Sequence, residues 1–289
     1  MKHINYLCPL FRHILAIIGF ALGSVNCFAV PITFNSALPV SQSEWIVRGL
    51  ITIDQRSSSV NDSEVEREEL SLVSVLGYGI SSKWSVFGVL PIRDVSLSLG
   101  GQEQSDSAIG DTEFFSRYEA LRVDKSGGTF RVAPFAGVRL PTGELGVTSD
   151  GTTDIFGGVI LTSANIKQNF DFQFRYDLNG NDNQFSAGDS VNIDLSWQRR
   201  VLPKKITAST QGFWFAALET NLNYSGRNRL AGQFDSDSGG FMASVAPGVQ
   251  YITRRWIAEL AVRIPVIRNL NGAALEPDYT IFTGIRANF

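Results

Sequence analysis

Phe170, Phe172, Phe174, Tyr176 and Leu178 alternate with Asp171, Gln173, Arg175 and Asp177 along one unbroken stretch. A second stretch repeats the pattern, with Val191, Ile193, Leu195 and Trp197 opposite Asn192, Asp194, Ser196 and Gln198. Successive side chains of a β-strand point to opposite faces, so each stretch reads as a strand held between an apolar and a polar medium. No part of the chain beyond its first residues sustains the 3.6-residue period of a helix. The alternation predicts about twelve strands, near 44–55, 64–80, 84–97, 110–123, 129–141, 152–165, 170–178, 189–201, 206–217, 240–252, 256–268 and 278–289. Strands of soluble proteins cluster near about five or six residues, whereas a tilted strand crossing a bilayer needs about 9–11. Most of the predicted strands fall in the second class.

The connections alternate as well. Short turns are predicted at 81–83, 125–128, 167–169, 202–205 and 253–255, and long loops at 56–63, 98–109, 142–151, 179–188, 218–239 and 269–277. This is the layout of an up-and-down outer-membrane barrel, with short periplasmic turns and longer extracellular loops. The predicted fold class is therefore all-β, a transmembrane antiparallel barrel of about twelve strands. Charge placement agrees. Lys83, Lys125, Lys167, Lys204 and Lys205 all fall in short turns, and Arg254 and Arg255 occupy the fifth. Trp84, Phe130, Phe170 and Trp256 follow those turns closely, as an interfacial girdle requires. A soluble sandwich or filled barrel would also alternate, with its apolar faces meeting one another; here the polar faces are charged on strand after strand, which places the polar medium inside.

The first residues read as an export leader. Lys2 and Arg12 precede the apolar run 14–22, and the small-residue site Cys27-Phe28-Ala29 follows. The expected organisation is a signal peptide over 1–29 and a single barrel domain over 30–289. Loss of the leader would remove both cysteines and both histidines, leaving 23 basic against 28 acidic side chains, a net of −5. Disulfides, thiolate or imidazole metal sites and His-assisted nucleophiles are then excluded. No basic cluster points to nucleic acid. The acids Asp150, Asp182, Asp235 and Asp237 of the long loops lack the spacing of a calcium loop and read as solvated charge.

Turning the apolar faces outward leaves a candidate lumen lining of Arg48, Arg67, Glu69, Asp111, Glu113, Arg117, Glu119, Arg131, Arg139, Asp154, Asp171, Arg175, Asp177, Asp194, Glu259, Arg263 and Arg286. Such a set either lines a narrow or gated aqueous passage or pairs across the lumen as a polar filling. Asp111 and Glu113 share a face as two glycosidase carboxylates would, but solvated lumen charge is the simpler account. "GDSVNID" and "GTTDIFGG" open no helix, so neither is a phosphate loop. No enzymatic activity, cofactor or metal is expected.

The stretches "GDTEFFSRYEAL" (110–121) and "PFAGVRLPTGE" (134–144) resemble the MetA-pathway phenol-degradation family. Gly110, Asp111, Arg117, Tyr118, Pro141, Thr142 and Gly143 carry the resemblance. It implies an exported outer-membrane barrel that passes small compounds, aromatic or hydrophobic in character, and brings no binding residues with it. The expected function is an outer-membrane channel for passive uptake of small solutes. The alternative is a structural or adhesive barrel with a plugged lumen and ligand-binding extracellular loops. Expected partners are the lipid bilayer, lipopolysaccharide, the outer-membrane assembly machinery and a small-molecule solute. The last predicted strand presents Tyr279, Ile281, Thr283, Ile285 and Ala287 on its greasy face and ends in Phe289. It should pair with the strand near 44–55 to close the ring. Tyr279, Ile281, Ile285 and Phe289 together resemble the signal read by the assembly machinery. A closed barrel of this kind should migrate differently on gels when boiled and unboiled, and identical mobility would rule the barrel out.

Overall fold

The computed structural model describes residues 28–60, 63–100, 102–181 and 184–289. The expected leader lies outside them apart from residues 28 and 29, as does Asp182. Among the described residues there is no helix. The chain forms β1 (Trp45–Val60), β2 (Ser63–Gly79), β3 (Trp84–Leu99), β4 (Gln102–Ile109), β5 (Thr112–Tyr118), β6 (Leu121–Lys125) and β7 (Gly128–Leu140). It continues with β8 (Asp154–Asn165), β9 (Gln168–Leu178), β10 (Phe185–Ser186), β11 (Ser190–Leu202) and β12 (Gly212–Ser225). The last are β13 (Arg229–Leu230), β14 (Gln233–Phe234), β15 (Gly240–Thr253), β16 (Trp256–Leu270) and β17 (Glu276–Asn288).

Three of these, β10, β13 and β14, form a small sheet of loop segments. The rest build the wall. β4 pairs with the outer part of β3, β5 with its inner part, and β6 continues along β7, so the three together act as one wall strand with two irregularities. Counted in this way the wall has twelve antiparallel strands, as the alternation predicts. The ring closes between its ends. β1 pairs with β17 from Ile46↔Asn288 to Ser57↔Glu276. Beyond that register the Trp45 amide donates to the Phe289 carbonyl, and the Phe289 amide donates back to Trp45, both at 2.9 Å.

Side chains sort to the two faces as the bilayer demands. Leu76, Leu90, Phe114, Phe170, Phe174, Leu195, Leu218 and Ile285 are exposed on the outer face, where hydrocarbon would cover them. All five tryptophans, Trp45, Trp84, Trp197, Trp214 and Trp256, are exposed on that face towards the short-turn end. Trp45 packs on Tyr78 with ring centroids 4.5 Å apart, and Tyr251 sits 4.9 Å from Trp214 and 5.4 Å from Trp256. An amphipathic ring is most stable at the headgroup level, so this belt marks the bilayer interface at the short-turn end. The lysines lie just beyond it in the turns, where a charge stays in water.

Three expectations require correction. The strand expected at 206–217 is β12, Gly212–Ser225, so the short turn placed at 202–205 is a nine-residue connection, 203–211, and the loop beginning at 218 begins at 226. The alternation itself explains the shift. Trp214, Ala216, Leu218 and Leu222 face out while Phe215, Ala217, Glu219 and Asn221 face in, a pattern running to Tyr224, whereas 206–211 holds small polar residues. Second, residues 102–109, expected in a loop, are strand β4, and 56–63 is largely hairpin. Polar side chains on both faces hide a strand that stands outside the bilayer, because its ladder needs only backbone groups. Third, the lumen is not lined by polar residues alone. Phe87, Phe115, Phe135, Phe156 and Ile160 also point inward and are buried.

This internal aromatic cluster is packed tightly. Phe87 stacks on Phe115 at 4.6 Å, and Phe115 meets Phe135 and Phe156 edge-on. Gly137 makes the approach possible, since a Cβ there would lie 2.5 Å from Phe115 Cβ and 2.6 Å from Phe156 Cζ. Gly137→Val should destabilise the folded barrel by about 1–3 kcal/mol through overpacking. Gly49→Val, where a Cβ meets nothing within 4 Å, is the matched control. The temperature at which the gel-mobility shift is lost should fall for the first variant and hold for the second.

Candidate functional site

Residues 30–40 adopt neither strand nor helix and run inside the barrel, in the half nearer the short turns. Backbone polar groups enclosed there need partners, and without ladder neighbours they take them from side chains of the wall. Glu219 on β12 accepts from the Ile32 amide at 2.7 Å, the Thr33 amide at 2.9 Å and the Thr33 hydroxyl at 2.5 Å. Thr162 on β8 accepts from the Ala37 amide at 2.8 Å, and Ser85 on β3 from the Val40 amide at 3.1 Å. The carbonyls are met by cations and amides. Arg48 donates to Ile32, Gln250 to Val30 at 2.7 Å, and Arg117 to both Ser36 and Leu38, the latter at 2.6 Å.

Apolar contacts complete the seat. Ala37 and Val40 pack into the Phe87–Phe115–Phe135–Phe156 cluster, Val30 against Phe215, Ile252 and Ile257, and Ile32 against Leu50, Ala217, Ala261 and Phe282. Ile32 and Ala37 are wholly buried. Two of the wall arginines carry their own counter-charges. Arg48 Nη2 lies 2.6 Å from Glu259, whose side chain is fully buried, and Arg131 pairs with Glu119. Arg117 instead lies over the Phe87 ring, 4.8 Å from its centroid.

Beyond the segment, towards the long loops, a second constellation lies on the inner face of the adjacent strands β5, β7, β8 and β9. Arg139 reaches Glu113 at 2.8 Å and Asp154 at 3.1 Å, while Arg175 reaches Asp177 at 2.6 Å and Glu113 at 3.2 Å. The Arg175 guanidinium also sits 3.9 Å from the Phe156 centroid. Asp154 additionally accepts from the Gly180 amide at 2.9 Å and the Thr152 hydroxyl at 3.0 Å, tying two long loops to the wall. Each carboxylate here has at least one cationic partner, as burial of charge requires.

The sequence-predicted lining residues thus fall into separate places. Arg48, Arg117, Glu119, Arg131, Glu259 and Arg286 surround or border the lumen segment. Asp171 accepts from Thr162, and Asp194 from Asn221 and Gln173, in mid-wall. Arg263 donates to Asn221 and lies over Phe282. Glu113, Arg139, Asp154, Arg175 and Asp177 form the outer constellation, while Arg67 and Glu69 pair with each other further along β2. All of these residues are buried or half-buried.

Asp111 has a different position. It sits at the break between β4 and β5 and accepts from the Gly143 amide at 3.0 Å. Thr142 Oγ1 accepts from the Thr112 amide at 2.9 Å and donates to the Gly110 carbonyl at 3.1 Å, and Thr148 Oγ1 donates to the Ile109 carbonyl at 2.7 Å. The Gly110-Asp111 and Pro141-Thr142-Gly143 motifs are therefore two halves of one latch, in which loop 141–153 supplies bonds at the break in the wall.

Two cavities adjoin the lumen segment. One of about 760 Å³ opens at the short-turn mouth beneath connection 203–211. The other, about 370 Å³, lies between the segment and the wall, and Arg122 and Arg131 line both. Sequence reading missed Glu219, the chief anchor, because the misplaced end of β12 left it in a predicted loop. It also passed over Ser85, Thr162 and Gln250, since neutral polar residues stand out less than charges. The inward alternation Phe215, Ala217, Glu219, Asn221 was the available signal.

The family described as "Putative MetA-pathway of phenol degradation" matches residues 55–263. Among solved structures, the COG4313 outer membrane channel from Pseudomonas putida F1 is similar in fold, with a TM-score of 0.66 at 11% identity, covering 88% of this chain and 97% of that one. The translocator domain of the autotransporter NalP from Neisseria meningitidis gives a TM-score of 0.49 at 11% identity, covering 87% and 91%. No curated protein matches.

If Glu219 anchors the segment, Glu219→Ala should leave the Ile32 and Thr33 amides without their acceptor. A hydrogen bond to a charged group contributes about 1.5–3 kcal/mol. Amide exchange across residues 30–40 should then accelerate while the wall strands stay protected. Equal protection in variant and wild type would remove Glu219 as the anchor.

Proposed function

The chain belongs to the MetA-pathway phenol-degradation family, and from that premise we propose that it is an outer-membrane channel passing small solutes, aromatic or hydrophobic in character, by passive movement. One observation carries the reading. The material that fills the inner half of the lumen is residues 30–40, and side-chain hydrogen bonds hold it with no strand pairing. Such contacts contribute roughly 0.5–1.5 kcal/mol each when neutral and break one by one, unlike a β-ladder. A passage can therefore widen by displacement of the segment while the closed wall stays intact. The aromatic faces of Phe87, Phe115, Phe135 and Phe156 are the surface such a displacement would uncover, and they suit an apolar or aromatic solute.

A plugged structural barrel has the same occupied lumen in its favour, and the two readings differ in what happens when the segment goes. Deletion of residues 30–40 from the purified barrel should raise single-channel conductance in a planar bilayer several-fold over wild type. A deletion variant that is folded by gel mobility yet never conducts would replace the channel with the plugged barrel.

A further inference from the structure

We propose that the 760 Å³ vestibule at the short-turn mouth is a binding site for a small organic anion with an aromatic or apolar body, anchored by Arg200. The proposal names a solute class for the passage proposed above and to that extent rests on that reading. Arg200 belongs to the inner face of β11, where it stands opposite Phe215 of β12. Its side chain is half-buried, and its Nη1 is enclosed without a hydrogen-bond partner. Among the described residues no carboxylate lies within 4 Å of it. The guanidinium lies instead over the Phe213 ring, 5.4 Å from the centroid. An enclosed guanidinium nitrogen without an acceptor costs free energy, and an anion in the vestibule supplies the missing partner charge.

The rest of the vestibule suits such a ligand. Lys125 and Arg254 stand exposed at its rim, again with no carboxylate within 4 Å among the described residues. Arg122 and Arg131 line it too, but Asp124 and Glu119 answer them, so that group adds no net charge. Asp124 is the one carboxylate in the lining. The apolar part of the wall comes from Phe213, Phe215, Ile166 and Ile206. A bare inorganic anion would leave these side chains against water, and a neutral aromatic molecule would leave Arg200 unanswered. A molecule with both parts satisfies both. A planar guanidinium matches the two oxygens of a carboxylate, and the phenylalanine rings offer faces on which an aromatic body packs. The volume lies within the ~300–1,000 Å³ usual for ligand pockets. Phe28 and Ala29 also line the vestibule, and Asn169 donates to the Ala29 carbonyl at 2.8 Å. Release of the expected leader after residue 29 would take both away and turn the Asn169 amide into a further donor for the anion, so the site does not depend on Phe28.

The test is calorimetric titration of the folded barrel, in neutral detergent, with sodium benzoate, benzyl alcohol and sodium acetate. Benzoate should bind saturably, and the alcohol and acetate each at least about tenfold more weakly. Arg200→Gln should weaken benzoate about tenfold, while Arg199→Gln, exposed on the other face of the same strand, leaves it unchanged. Gel mobility verifies that each variant is folded. Where Arg200→Gln fails that check, Ala208→Glu decides: it sets a like charge at the vestibule from connection 203–211, outside the wall, and should weaken benzoate about threefold or more. Benzoate that binds no tighter than benzyl alcohol or acetate, or whose binding the deciding variant leaves unchanged, would overturn the site. Liposome swelling separates this from the channel reading. A barrel that binds benzoate but passes none keeps the site and loses the channel. Passage without binding that depends on Arg200 loses the site alone.

Discussion

Hydrocarbon offers no hydrogen-bond partner to a peptide group, and every other feature of this protein follows from that constraint. A sheet in the bilayer cannot keep a free edge, so β1 must meet β17, and it does so through a twelve-pair register extended by the reciprocal Trp45–Phe289 bonds. Closure then dictates the outward apolar faces, the tryptophan belt towards the short-turn end and the position of the lysines beyond it. It also explains the latch at Gly110–Asp111. Where the wall strand changes register between β4 and β5, Thr142, Asp111 and Thr148 supply bonds that the ladder does not.

Closure creates a second problem on the inside. Twelve strands enclose a lumen whose charges are partly removed from bulk water, and a buried charge must be paired or neutralised. The outer half answers with the Arg139–Arg175–Glu113–Asp154–Asp177 constellation. The inner half answers with residues 30–40, whose carbonyls take up Arg48 and Arg117 and whose amides take up Glu219. The same segment covers the internal phenylalanines, which would otherwise face water. Segment and wall are therefore complementary in both polarity and shape. Side chains from β1, β3, β5, β8, β12 and β15 all contribute, so the seat exists only in the closed ring.

How much of this was legible in the residues varies with the strength of the local pattern. Strands such as 170–178 alternate so cleanly that their placement needed no structure. β12 was placed several residues early because Ile206 and the small residues after it imitate a strand start, and Glu219 was lost with the error. β4 was read as a loop because both its faces are polar outside the bilayer. Phe115 shares the inward parity of Glu113 and Arg117, and Phe156 that of Asp154, yet the expected lining comprised charged residues alone, because alternation marks the charges of a face more clearly than the apolar residues among them.

By itself, then, the chain's alternation determined the barrel, its strand number and the seam between its first and last strands. These depend on local periodicity against a bilayer, a property each strand carries alone. What fills the lumen was decided only by the tertiary structure. Residues 30–40 have no period to read, and their partners lie from 16 to 220 positions away on strands brought together only by closure. Arg117 and Glu219 read in isolation are two charged wall residues. Across the lumen they become the two anchors of one segment, because a ring places side chains opposite each other that no stretch of sequence places near.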